Sequence, residues 1–136
     1  MNTILNLENI GGNLITKEYY KFINDNMCDL NQRDYNKLIT NQNKINLTFP
    51  LGLNGIISPV YSYTNNNKFT VRTLINILNE YYNSELTQEE KDILIEQTEE
   101  DLSIYSLRID LLDYSNLCYF QGIENSQEVY NILLGS

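Results

Sequence analysis

The sequence predicts an α+β fold: a helix-dominated single domain spanning 1–136, with a central antiparallel helix pair and a small C-terminal β-hairpin. Three observations carry that prediction. "FTVRTLINILNEYYN" repeats apolar residues at helical spacing behind a threonine, and "LTQEEKDILIEQ" opens on a helix-capping signature. Near the end, "LCYFQGI" and "EVYNILL" are two apolar-aromatic runs separated by Glu124 to Gln127. At 136 residues, folding buries roughly 65–70% of the surface that the unfolded chain exposes, which is enough for one ordinary core.

From the start, Ile4, Leu5 and Leu7 suit a short strand that ends at the turn-forming pair Gly11-Gly12. Thr16 can cap a short helix with Tyr19, Tyr20, Phe22 and Ile23 on one side. After a connector from Asn24 to Leu30, Asn31 can cap a second helix carrying Tyr35, Leu38 and Ile39. Residues 41–68 hold both prolines, two of the six glycines and the run Asn65-Asn66-Asn67, so this stretch is expected to be irregular. Within it, Gly55 to Thr64 reads as an extended edge segment, because Pro59 cannot donate to a central ladder.

The clearest helix follows, with Thr70 as N-cap. Val71, Leu74, Ile75, Ile77, Leu78, Tyr81 and Tyr82 fill one arc of about 160°, leaving Arg72, Asn76, Asn79, Glu80 and Asn83 to the other side. Such a stripe is core. Thr87-Gln88-Glu89-Glu90 then matches a capping box, in which a threonine and the glutamate three residues later satisfy each other's backbone donors. With Leu94 at the centre of the wheel, Leu86, Ile93, Ile95 and Leu102 lie within about 100° of it. Tyr105, Ile109 and Leu112 continue the same line, so one helix is expected to run on toward Asp113, bent near Asp101 to Ser103. A four-residue connector makes it the antiparallel partner of the helix before it. The C-terminal runs read as a β-hairpin; the alternative is a last short helix capped by Ser126 and ended by Gly135. No internal repeat or linker marks a domain boundary.

Charge is distributed unevenly. Residues 85–136 contain twelve acids against Lys91 and Arg108, a local charge of −10, while residues 1–84 hold six acids and seven bases, or +1. Glu89, Asp92, Glu96, Glu99 and Glu100 fall opposite Leu94 within an arc of about 100°. Like charges three and four apart cost a helix a few tenths of a kcal/mol each, and no basic residue on that side relieves them; Glu89 and Glu90 gain roughly 0.3–1 kcal/mol from the helix N-terminus, the later acids do not. Solubility or an external cation remains as the reason for the stripe. These five residues are the candidate partner-binding set, facing a basic protein; a field of this sign repels nucleic acid. A divalent-cation site is disfavoured because the glycine-containing calcium loop is absent and a straight stripe spreads its ligands.

No cofactor, metal or catalytic residue is assigned. With no histidine, the commonest general base and the histidine-dependent nucleophile pairs are missing. There is no P-loop, dinucleotide fingerprint or nucleophile elbow. Asp110 and Asp113 are three apart on a helix, which is commonplace. Cys28 and Cys118 lack metal-ligand spacing and read as small buried hydrophobes. Arg108, with Asp101, falls toward the apolar side of the expected helix, so it needs either an ion-pair partner within the fold or one on another protein. The start shows neither a signal peptide nor a membrane span, so an intracellular, cytoplasmic protein with no membrane partner is expected, and the sequon Asn46-Leu47-Thr48 is read as chance.

Abundant asparagine, isoleucine, lysine and tyrosine suit an AT-rich genome. "KFTVRTLINILNEYYNSELT" and "CYFQGIENSQEVYNILLGS", about a third of the chain, resemble small uncharacterised proteins of large DNA viruses of protists. That resemblance implies no activity or binding residue, only host cytoplasm or a virion as the setting. The expected function is a non-enzymatic protein-protein interaction module that presents its acidic C-terminal surface to a basic partner. The alternatives are a structural or assembly subunit that self-associates through a tyrosine-rich surface and an acidic decoy of a nucleic-acid-binding site.

Overall fold

A computed structural model describes residues 2–6, 13–14, 36–52, 55–98, 106–115 and 119–135. These residues form eight strands and three helices: β1 (Asn2–Asn6), β2 (Asn13–Leu14), β3 (Leu38–Thr40), β4 (Lys44–Thr48), β5 (Tyr61–Thr64), β6 (Phe69–Thr70), α1 (Val71–Tyr82), α2 (Gln88–Thr98), α3 (Arg108–Ser115), β7 (Tyr119–Ser126) and β8 (Val129–Gly135). The larger sheet has six strands in the order β1-β7-β8-β4-β5, with β2 also on β7, and β3 pairs with β6 in a second, two-stranded sheet.

The expected helix-dominated fold is therefore corrected to a mixed α/β architecture. The C-terminal hairpin forms, but β7 and β8 are the centre of the large sheet rather than a small appendage. Their register closes at Ser126↔Val129 around a two-residue turn in which Gln127 takes a φ of 59°, as a primed hairpin turn requires. β4 runs parallel to β8, and β5 runs antiparallel to β4. β4 lies inside the stretch expected to be irregular. Its apolar residues alternate, with Lys44 exposed and Ile45 and Leu47 buried, so one face meets the core. Leu38 and Ile39, expected on a helix, form β3, held by the pairs Leu38↔Thr70 and Thr40↔Phe69. The helix expected after Thr16 lies outside the described residues.

Helix α1 has the bounds that its sequence predicts. Thr70 Oγ1 accepts from the Thr73 backbone N–H at 3.4 Å while Thr73 Oγ1 accepts from the Thr70 N–H at 2.8 Å, a reciprocal cap. Val71, Leu74, Ile75, Leu78, Tyr81 and Tyr82 are buried. They join Ile45, Leu47, Phe49, Ile123 and Ile132 from the sheet side, and Ile109 and Leu112 from α3, in the main core. Leu51, Ile56, Leu86, Leu94 and Leu111 form a second, smaller cluster.

The central antiparallel helix pair is the second correction. α1 shares its core with α3, while α2 gives Leu94 to the smaller cluster. Nor does one helix run to Asp113. α2 is described as far as Thr98, and residues 106–107 are not helical: Leu107 bridges Glu85 just before α3 begins. The Leu86 N–H donates to Ser106 O (2.9 Å) and the Arg108 N–H to Ser84 O (3.1 Å), so backbone pairing takes the place of helical hydrogen bonds there. Ile95, expected to point inward, is 48% exposed.

Candidate functional site

Two surfaces follow from this framework, and the first depends on how α2 is fastened. Its capping box forms as its sequence predicts: Glu90 N–H donates to Thr87 Oγ1 (3.1 Å) and Thr87 N–H donates to Glu90 Oε1 (2.9 Å). The same carboxylate does more than cap. Glu90 is fully buried, and it receives Arg108 Nε at 2.9 Å and Arg108 Nη2 at 2.8 Å on Oε1. Its Oε2 accepts a short hydrogen bond from the Tyr81 hydroxyl. Arg108 Nη1 donates to the Tyr81 carbonyl at 3.0 Å. The guanidinium carbon lies 3.9 Å from the Tyr81 ring centroid, and Phe49 stacks on that ring at 3.8 Å and 13°. Two groups at that distance must occupy opposite faces, so Tyr81 is held between an aromatic ring and a cation.

Arg108 thus finds its counterion inside the fold. Burial raises the Glu90 carboxyl pKa, but hydrogen bonds from Arg108, Tyr81 and the Thr87 backbone outweigh burial, and the net shift is downward. Burial likewise works against the guanidinium, and Glu90 more than restores it. Burial also pushes the Tyr81 hydroxyl far up, with Tyr82 and Glu90 adding to the effect. A carboxylate already satisfied by a guanidinium, a phenol and an amide is spent as a metal ligand or general base.

The predicted partner-binding residues divide. Glu89, Asp92 and Glu96 are exposed on one side of α2, and among the described residues no cation pairs with any of them. Asp92 accepts a hydrogen bond from Gln88 Nε2 at 3.0 Å, a contact between neighbours on the same face. Glu99 and Glu100 lie outside the described residues. Ile95 is exposed about 60° round the helix from Asp92, so the acidic side has an apolar border.

The second surface lies along β5 and was not singled out from the sequence. Two adjoining cavities of about 270 and 250 Å³ share Tyr63, Ile77 and Glu80. The first reaches Tyr61, Tyr81 and Arg108, and the second reaches Thr64, Phe69 and Thr73. Together they make a groove between β5 and α1. Burial pushes the Tyr63 hydroxyl up to about 12, and the Tyr61 hydroxyl is buried without a hydrogen bond of good geometry. The sequence signal was the alternation Tyr61-Ser62-Tyr63-Thr64, which puts both rings on one face. Both rings are half-buried against the main core and line the groove, while Tyr82 is buried within the core and so takes no part in a tyrosine-rich outer surface.

No protein-family model, curated protein or solved structure matches the chain. Among the described residues, no helix is long and apolar enough to cross a membrane.

Proposed function

We propose that this chain is a non-enzymatic protein-interaction module that offers an acidic C-terminal surface to a basic protein partner. The observation that carries the reading is the contrast within one helix. Glu90 is answered in full by Arg108, whereas Glu89, Asp92 and Glu96 stand exposed with no cation beside them among the described residues. Glu89 is favoured by the helix N-terminus, but Asp92 and Glu96, four residues apart beyond the first turn, slightly oppose the helix, so their gain lies outside the folding of α2 itself. A charge of −10 over residues 85–136 gives that surface a field that speeds encounter with a cationic protein and repels phosphates. Under the same reading the working location is the cytoplasm, and host cytoplasm or a virion if the viral resemblance holds.

The test compares immobilised wild type with the triple variant E89Q/D92N/E96Q in native cell extract at low and moderate salt. Wild type is expected to retain a basic protein that is released as ionic strength rises. The triple variant is expected to lose it. Equal retention by both proteins would remove the reading.

A further inference from the structure

We propose that β5 takes an extended basic segment of the partner as an added strand, lying in the groove against α1 and placing a lysine or arginine at Glu80. This deepens the basic-partner reading, on which it rests, by naming a surface distinct from the α2 ridge. The phase of the β4–β5 ladder supplies the first argument. Asn65 N–H donates to Asn43 O at 2.9 Å, one step beyond the pair Lys44↔Thr64. Hydrogen-bonded pairs alternate along an antiparallel ladder, so Tyr63 and Tyr61 face β4 with their backbone groups, while those of Ser62 and Thr64 point off the sheet. Both residues are exposed. Among the described residues β5 pairs with β4 alone, and no backbone hydrogen bond reaches Ser62 or Thr64 from the open side.

An open edge of this kind is a template for another strand, and proteins ordinarily blunt one with lysine, proline or a bulge. Within Tyr61–Thr64 there is no charge, no proline and no register shift. Shape supplies the second argument. The two cavities succeed one another along β5, one beside Tyr61 and the other beside Thr64, with Ile77 common to both. Alternate side chains of an added strand project to one face about 6.6–6.8 Å apart, which suits two hollows in series.

Charge decides the occupant. Glu80 lines both cavities, is exposed, and has no ion pair among the described residues. Arg108, at the far end of the first cavity, is already engaged by Glu90. An incoming cation therefore finds an unanswered carboxylate at the middle of the groove, and an incoming acid meets repulsion.

A fluorescent octapeptide of alternating lysine and valine, with its glutamate-valine counterpart as control, tests this by anisotropy titration and amide hydrogen exchange on the full chain. The lysine peptide is expected to bind and to protect the Ser62 and Thr64 amides, and the glutamate peptide to do neither. Ser62→Pro removes an outward donor without touching the ladder to β4 and is expected to weaken binding about tenfold. Glu80→Gln keeps the edge and should weaken it about two- to fivefold at low salt. E89Q/D92N/E96Q is expected to leave the protection of Ser62 and Thr64 in place. If the ridge variant weakens binding while Ser62→Pro and Glu80→Gln do not, strand addition is wrong and the basic-partner reading survives. If the lysine peptide fails to bind even at low salt, both fall. Protection of Ser62 and Thr64 that grows with protein concentration in the absence of peptide would assign the edge to a second copy of the chain and overturn the proposal.

Discussion

Helices α1 and α2 are close in length, 12 and 11 residues, and adjacent in the chain, yet they are held by different physics. α1 buries six side chains on a wide apolar arc, so its position follows from area removed from water. α2 buries two, Leu94 and the carboxylate Glu90, which lie four residues apart on the same face. Its attachment is Leu94 in a small cluster with the half-buried Ile93 packed beside it, and one polar knot of Glu90, Arg108 and Tyr81. A helix fastened at so few points leaves most of its surface to solvent, and that is where Glu89, Asp92 and Glu96 stand. The lesson is that the charge of a residue did not decide its role here: its angle to Leu94 did.

The sharpest way to break this comparison is to cut the polar knot. Arg108→Met leaves the Glu90 carboxylate buried without its cation and should cost about 3–5 kcal/mol in urea unfolding. The double variant E90Q/R108M, with no buried charge left, should recover most of that loss. If the single and double variants are equally unstable, the knot is not what the pairing suggests.

Next in size are two cavity variants. Leu78→Ala and Leu94→Ala should each cost about 2–5 kcal/mol if their surroundings relax little. They should differ in where the loss shows. Hydrogen exchange is expected to rise throughout the main core for Leu78→Ala, and for Leu94→Ala to rise first in α2 amides while α1 stays protected. Equal loss of protection in both helices would show α1 and α2 to be one cooperative unit.

Acid gives a smaller effect with a definite sign. The Glu90 carboxyl is held below its ordinary value of 4.5, so the folded state binds its proton less readily than the unfolded chain does. Its contribution is fully present above that ordinary value and is lost as pH falls through the lower folded one. Wild type should lose stability in this range more steeply than Glu90→Gln in parallel urea titrations at pH 7 and pH 3. Matching slopes would mean that Glu90 is not the group responsible.

The smallest effect concerns the ridge. D92N/E96Q removes the like-charge pair at four-residue spacing, leaves in place Glu89, which the helix N-terminus favours, and should raise stability by a few tenths of a kcal/mol at low salt. That gain should shrink in 1 M salt, where screening acts within about 3 Å. A destabilised double variant would reveal a cation on the ridge.

Much of α1 was legible in advance because every signal in it agrees: Thr70 caps, the apolar arc is broad, and the residues needed are consecutive. The capping box of α2 was legible for the same local reason. Arg108 announced that it needed a partner, but Glu90 lies 18 residues earlier, across a break between helices that periodicity alone ran straight through. β4 and the residue after it carry a readable alternation, Ile45-Leu47-Phe49, obscured by Asn43 before it, Asn46 within it and Pro50 after it. Leu38 and Ile39 suit a strand or a helix equally, and pairing with β6 settled the matter. The groove was invisible because its two walls, β5 and α1, are brought together only by the core beneath them.

Taken by itself, the order of residues determined the starts of α1 and α2, the helical face of α1, the C-terminal hairpin and the concentration of negative charge from Glu85 onward. Those are properties of neighbours, set by caps, spacing and composition within one or two turns. Tertiary structure alone decided that the hairpin is the sheet's centre, that β5 and α1 border one groove, and that Arg108 is the partner of Glu90. Each of these depends on contacts between residues far apart in the chain, whose energies no local window contains.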